Sequence, residues 1–317
     1  MENHTHQIRL HGDGGKYFGI LIVNLLFTII TLGLYYPWAR AKNLQYLYGE
    51  TEFAGSRFQF HGTGNEMFKG FIKALAIVFV LGLIYNLSIL SKNSAIIFVG
   101  VAVYILGLLT IIPLAIHGGL RYRLSRTSWR GIHMGYRGNL RELFGIWFKG
   151  ILLTVLTLGI YGSWFNIALT QYLMKHVRLG NVKFRYDGDG SDYFWLNVKG
   201  TILTILTLGI YSFWYARDVN HYYFNNTKLE QDEAVSDFQS NLTAGDIFIT
   251  GITNYFLIVF TLGIGTPWAI LRQMRMTINN LELNGPFNPD AVVQTEEDYN
   301  DATGDDLLDS LDIGLDF

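Results

Sequence analysis

The 317-residue chain contains no cysteine, which excludes disulfides, thiolate zinc sites, iron–sulfur clusters and cysteine nucleophiles. Charge is scarce too. Only 16% of residues are Asp, Glu, Lys or Arg, against about 25% in soluble domains. Half are hydrophobic, and mean hydropathy is +0.23. So little charge does not suit a water-soluble globule. What charge exists is segregated: residues 282–317 hold 11 of the 26 acids and no Lys or Arg, leaving 24 bases against 15 acids upstream. Catalytic signatures are also missing. There is no P-loop, no Gly-x-Ser-x-Gly elbow and no His-Glu-x-x-His helix. The expectation is a non-enzyme with no catalytic, cofactor-binding or metal-binding residues.

Long uncharged runs are abundant. A bilayer core about 30 Å thick needs about 20 apolar residues in a helix. Tyr17–Ala39, Ala74–Ser91, Asn93–Leu120, Gly150–Met174, Gly200–Ala216 and Ile247–Leu271 carry 23, 18, 28, 25, 17 and 25 residues without a charge. The fifth extends back to Tyr193 if Lys199 snorkels to the headgroups. Candidate spans are therefore 17–39, 74–91, 93–120, 150–174, 193–216 and 247–271. The first ends in Tyr35-Tyr36-Pro37-Trp38 rather than small residues, so it reads as a retained segment, not a cleaved signal. None of the six runs contains a carboxylate, so no acid pair is available there for a proton relay or metal cage.

One eight-residue string recurs. Thr31-Leu32-Gly33-Leu34-Tyr35-Tyr36-Pro37-Trp38 returns as Thr157–Trp164, Thr207–Trp214 and, without its tyrosine, Thr261–Trp268. Nineteen residues before the Thr stand Gly12, Gly138 and Gly188. Gly12-Asp13-Gly14, Gly62-Thr63-Gly64 and Gly188-Asp189-Gly190 each follow a short alternating stretch, the pattern of a strand entering a turn. Val177–Tyr186 reads as a hairpin turning at Gly180-Asn181. The unit is thus hairpin, glycine turn, membrane helix, aromatic break, then a more polar helix such as Ala39–Tyr48 or Ala216–Phe224. The Gly-x-Gly pairs lack the spacing of a nucleotide site, and an acidic residue between the glycines suits a helix start.

The Asn24-Leu25-Leu26 block, the Thr31–Arg40 block with its recurrences, and Phe58-Gln59-Phe60-His61-Gly62-Thr63-Gly64 resemble the YjgN-like family of bacterial membrane proteins, a domain of unknown function. The resemblance covers residues 8–283, departs at Gly265, and implies a bacterial inner-membrane location without supplying an activity.

The expected fold is an all-α polytopic membrane protein with small extramembrane β-hairpins: residues 1–283 form a repeat-built membrane domain, and 284–317 an acidic, disordered tail. The tail's final segment, 306–317, alternates acids with apolar residues and offers a motif for a protein partner. Six spans with the N-terminus outside put 14 of 24 bases inside. That leaves Lys175, Arg178, Lys183, Arg185 and Lys199 outside, against the positive-inside tendency. A competing topology makes some helices re-entrant, with Lys92 alone at the far face.

Among polar positions, Asn24, Lys149, Lys199 and Asn254 stand at or beside one repeat position and form a candidate membrane cluster. Arg121, Arg123, Arg126 and Arg130 are candidate contacts for anionic lipid rather than nucleic acid. A structural, lipid-contacting or partner-binding role leads; a small-solute transporter or channel is second and an intramembrane enzyme third.

Overall fold

Alternating stretches such as Ile8-Arg9-Leu10 turn one side chain inward and the next outward, and ten of them become strands. The computed structural model describes residues 4–295. Its strands are β1 (His4–Leu10), β2 (Thr51–Phe53), β3 (Ser56–Phe60), β4 (Thr127–Trp129), β5 (Ile132–Tyr136), β6 (Val177–Leu179), β7 (Val182–Tyr186), β8 (Thr227–Gln231), β9 (Ala234–Ser240) and β10 (Leu281–Gly285). All pair antiparallel and close into a barrel in the order β1-β10-β9-β8-β7-β6-β5-β4-β3-β2.

The barrel is filled. Phe53, Trp129, Leu179, Val182, Leu229 and Leu283 form its buried core. The Trp129 indole N–H is held by the carbonyls of Phe53 and Ser56, at 3.1 and 3.2 Å. Outward positions on the strands, among them Gln7, Arg9, Arg57, Gln59, Lys183, Arg185 and Gln239, are exposed and polar. That polar wall suits water, whereas a lipid-facing barrel carries an apolar outer band. Beyond β10, Phe287 and Val292 pack into the core, Gln231 and Asn288 bond each other, and Val293 accepts from the Asn181 N–H. Ordered packing therefore continues past Asn284, where composition alone begins the acidic tail. The proposed partner motif at 306–317 lies outside the described residues.

Five helix pairs connect the strand hairpins: α1 (Gly14–Ile30) with α2 (Tyr36–Glu50), α3 (Gly64–Leu90) with α4 (Ser94–Ser125), α5 (Leu140–Leu156) with α6 (Gly162–Lys175), α7 (Gly190–Leu206) with α8 (Ser212–Asn225), and α9 (Ala244–Phe260) with α10 (Thr266–Ile278). Side chains of Asp13, Thr63, Asn139, Asp189 and Thr243 cap the five first helices, with full capping boxes at Thr63/Glu66 and Thr243/Asp246. Each pair leaves one strand and returns to its neighbour. Leu10 is the register partner of Thr51, Phe60 of Thr127, Tyr136 of Val177, Tyr186 of Thr227 and Ser240 of Leu281. Such partners stand about 5 Å apart, so both feet of every pair rest on one end of the barrel. The five pairs form a closed crown there, with α10 packed on α1.

This overturns the all-α polytopic fold, and with it the alternating six-span topology. Four of the six candidate spans, 17–39, 150–174, 193–216 and 247–271, bend double at Thr-Leu-Gly. Counting uncharged residues measures chain, not path. Among the described residues only α3 and α4, which contain 74–91 and 93–120, are long and apolar enough to cross a bilayer. Within α4, Pro113 has no N–H to give Leu109, and the Trp147 indole on α5 takes that carbonyl at 3.0 Å.

Candidate functional site

The tips of the four short pairs share one geometry. In the first, Leu32 adopts φ 49° and Gly33 φ 92°, and the same left-handed Leu-Gly recurs at Leu158-Gly159, Leu208-Gly209 and Leu262-Gly263. The Gly33 N–H reaches back to the Thr28 carbonyl at 2.7 Å. Thr31 Oγ1 donates to the Phe27 carbonyl and accepts from the Tyr35 N–H, at 2.7 and 2.9 Å. Every backbone N–H from Thr31 to Tyr36 thereby has a partner inside the turn. Thr157, Thr207 and Thr261 repeat both hydroxyl bonds. Yet the leucines at the apex are bare: Leu32, Leu158, Leu208 and Leu262 are 93–95% exposed. A turn with its polar backbone satisfied and an isoalkyl group on top suits hydrocarbon, not water.

Within each short pair the helices touch at a matched slot. Gly150 lies under the Phe165 ring and Gly200 under Tyr215, where an added Cβ would come within 2.0 and 2.1 Å. The other two pairs invert the sizes. Asn24 faces Ala39 and donates to its carbonyl at 3.2 Å, and Asn254 does the same to Ala269 at 3.1 Å. The candidate cluster is thereby distributed. Asn24 and Asn254 are each turned onto their own pair's second helix, while Lys149 and Lys199, one residue before the glycines, are exposed on α5 and α7. The four positions occupy four separate helix pairs.

Neighbouring pairs interlock through the Gly-x-Gly turns. Trp268 covers Gly14, Trp38 covers Gly64 and Trp164 covers Gly190, each closer than 2.5 Å to where a Cβ would sit. Seven residues after these three tryptophans and Trp214, the side chains of Gln45, Gln171, His221 and Arg275 reach the carbonyls of Gly62, Gly188, Leu242 and Gly12, at 3.0, 2.9, 2.8 and 2.7 Å. Ring packing and these bonds account for the glycines that look like a phosphate cradle. Sequence reasoning missed the latch residues, although their fixed distance from tryptophan is legible once the turns are aligned.

At the base of the crown, α2, α3 and α4 enclose a cavity of about 520 Å³, joined by Leu173 of α6. Its walls are mostly apolar, with Gly118 and Gly119 leaving room along α4, and Arg40, Arg121 and Arg123 on its lining. The one lining carboxylate, Glu66, is already engaged. It accepts from Arg126 at 2.7 Å, Tyr122 at 2.9 Å and the Thr63 N–H at 3.0 Å. Of the four arginines singled out from sequence, Arg121 and Arg123 line the cavity and Arg126 neutralises Glu66 beside it. Arg130 lies in the β4–β5 turn, at the opposite end of the barrel from the crown, paired with Asp290 at 2.7 Å and stacked over Trp129. Arg40 and Glu66 belong to this site and were not anticipated.

Histidines are dispersed. His11 contacts Glu52 at 2.7 Å, and His61 Nε2 contacts Ser128 Oγ at 2.8 Å beside the His133 ring. Burial, then the nearby His133 and Arg126 charges, lower the His61 pKa. Ser128 is buried and its histidine is flanked by a second imidazole rather than a carboxylate, so the pair ties β3 to β4 and does not form a nucleophile triad. No cluster of three metal-ligating side chains occurs among the described residues.

A barrel with a polar outer wall, bearing a crown of lipid-suited helix pairs, defines the class of protein. The chain belongs to the family described as "Bacterial protein of unknown function (DUF898)", which matches residues 5–184, 181–235 and 232–310. It is similar to the inner membrane protein YjgN of Salmonella typhimurium strain LT2, 33% identical over 161 residues, or 50% of this chain and 38% of that protein. The proteins of that name from Escherichia coli O157:H7 and strain K12 are 34% and 33% identical over 168 residues, 53% of this chain and 39% of theirs. The chain thus spans well under half the length of these curated relatives. No solved structure matches it. The relatives' names support the bacterial inner membrane as its location.

Proposed function

We propose that this chain is a non-enzymatic, lipid-contacting protein seated on the cytoplasmic face of the inner membrane. The four short helix pairs dip into the near leaflet, α3–α4 crosses the bilayer, and the barrel stands in water. The four bare apical leucines carry this reading. Lengths support it: α1 rises about 26 Å and α3 about 40 Å, a difference near half a bilayer core. Charge supports the orientation, because Lys92 is the one Lys or Arg in the α3–α4 turn and the other 23 of 24 lie outside it. The recurrent helix-pair and strand-hairpin unit fits duplication of one ancestral module. A transport reading would use the repeats and the positions Asn24, Lys149, Lys199 and Asn254, of which Asn24 and Asn254 are already bonded within their own helix pairs.

The absence of cysteine makes single-site labelling clean. In intact cells an impermeant maleimide is expected to label Lys92→Cys, to label Glu233→Cys in the β8–β9 turn only after the membrane is opened, and never to label Leu208→Cys. Labelling of Leu208→Cys from either face sinks the proposal, and reversal of the first two overturns the orientation.

A further inference from the structure

We infer that the cavity between α2, α3 and α4 holds one anionic phospholipid drawn from the near leaflet, its phosphate on Arg40 and Arg123 and an acyl chain along Met67, Phe71 and Leu120. The inference rests on the membrane-seated reading above. Five observations carry it. The cavity, about 520 Å³, lies in the size range of sites for small organic ligands. Its charge is one-sided, because Glu66, the only carboxylate on its lining, is spent on Arg126, Tyr122 and the Thr63 N–H. Among the described residues Arg40 bonds only the Tyr36 hydroxyl, at 3.4 Å, and the Arg123 side chain has no ion-pair partner. Two arginines on the lining of an apolar chamber, Arg40 exposed and Arg123 half-buried, suit an anion that brings its own hydrophobic body. Finally, α3 and α4, which form two of the walls, are the helices whose outer faces are apolar and open, so an acyl chain reaches the cavity without leaving hydrocarbon. The Gly119 position meets nothing within 4 Å, so that part of α4 has space to receive a ligand.

The test uses the full chain purified in mild detergent, incubated with equal amounts of phosphatidylglycerol and phosphatidylcholine and weighed by native mass spectrometry. One phosphatidylglycerol per chain is expected to be retained, with phosphatidylcholine excluded and excess inorganic phosphate unable to displace it. The double variant Arg40→Gln/Arg123→Gln should lose about tenfold or more in retention, as charge-assisted bonds are removed. Gly119→Leu keeps every charge, fills open space and should also reduce retention. Equal retention of phosphatidylcholine, full displacement by phosphate, or wild-type retention in both variants overturns the inference. Leu208→Cys protection in bilayers separates the two levels. Protection without lipid retention leaves the seat standing and removes the lipid site, whereas exposure removes both.

Discussion

The short helix pairs and the long one use the same left-handed apical position for opposite residues. At the four short tips it holds Leu32, Leu158, Leu208 or Leu262; at the long tip it holds Lys92, φ 54°, followed by Asn93, which caps α4. By its side chain, one kind of tip suits oil and the other suits water. Both are satisfied turns, so the difference lies in what surrounds them, and it places the long tip about 15 Å beyond the short ones, given about 1.5 Å of rise per residue. The comparison also explains why α3 continues. It carries Val80-Leu81-Gly82-Leu83, close to the Thr-Leu-Gly-Leu string but without the threonine, and Gly82 stays helical. A Leu-Gly pair therefore does not by itself reverse a helix; the threonine hydroxyl that takes the N–H four residues on is part of the device.

The heaviest blow to that contrast falls on the slots inside the short pairs. Phe165→Ala should cost about 3–5 kcal/mol in thermal unfolding in detergent, because it empties the slot over Gly150. Adding Gly150→Asn recreates the Asn24–Ala39 arrangement and should recover part of that loss; strict additivity of the two would show that the slots are not interchangeable. Next, Leu208→Lys puts a cation where hydrocarbon is expected and should destabilise the bilayer-embedded protein by about 2.5–3.5 kcal/mol, while Lys92→Leu changes little. Equal effects at the two tips would erase the distinction. Thr207→Val, which strands the Tyr211 N–H, should cost about 1–3 kcal/mol, whereas Thr110→Val, whose hydroxyl bonds only back to Leu106 in mid-helix, should cost less.

The smallest expected effect is on the barrel side. Burial lowers the His61 pKa below its ordinary 6.5, so the unfolded chain binds more protons between the two values. Stability should fall as pH drops through about 6.5, and His61→Gln should flatten that slope. An unchanged slope in the variant would assign the titration elsewhere.

Much of the local structure is legible from residues alone. Period-two stretches ending at Gly-x-Gly are strands entering capped helices, and the Val177–Tyr186 hairpin turns at Gly180-Asn181. Polar helices follow the first and third aromatic breaks. The site was harder to read. Arg121 and Arg123 were visible as part of a basic run, but Arg40 and Glu66 come from other helices, and nothing local distinguishes a cavity arginine from Arg130 in a distant turn.

Sequence alone determined the membrane affinity and the recurring tip, since each depends on residues within a turn or two of one another, whereas the tryptophan–glycine contacts join residues 26 or 254 positions apart. Only the tertiary structure decided that four of the six runs fold back on themselves. Leu10 meets Thr51 and Ser240 meets Leu281 through strand hydrogen bonds 41 residues apart, and β1 meets β10 from opposite ends of the chain. Closing those loops pins both feet of every helix pair to one rim. A hydropathy run carries no record of that constraint, because it is imposed by backbone pairing outside the run.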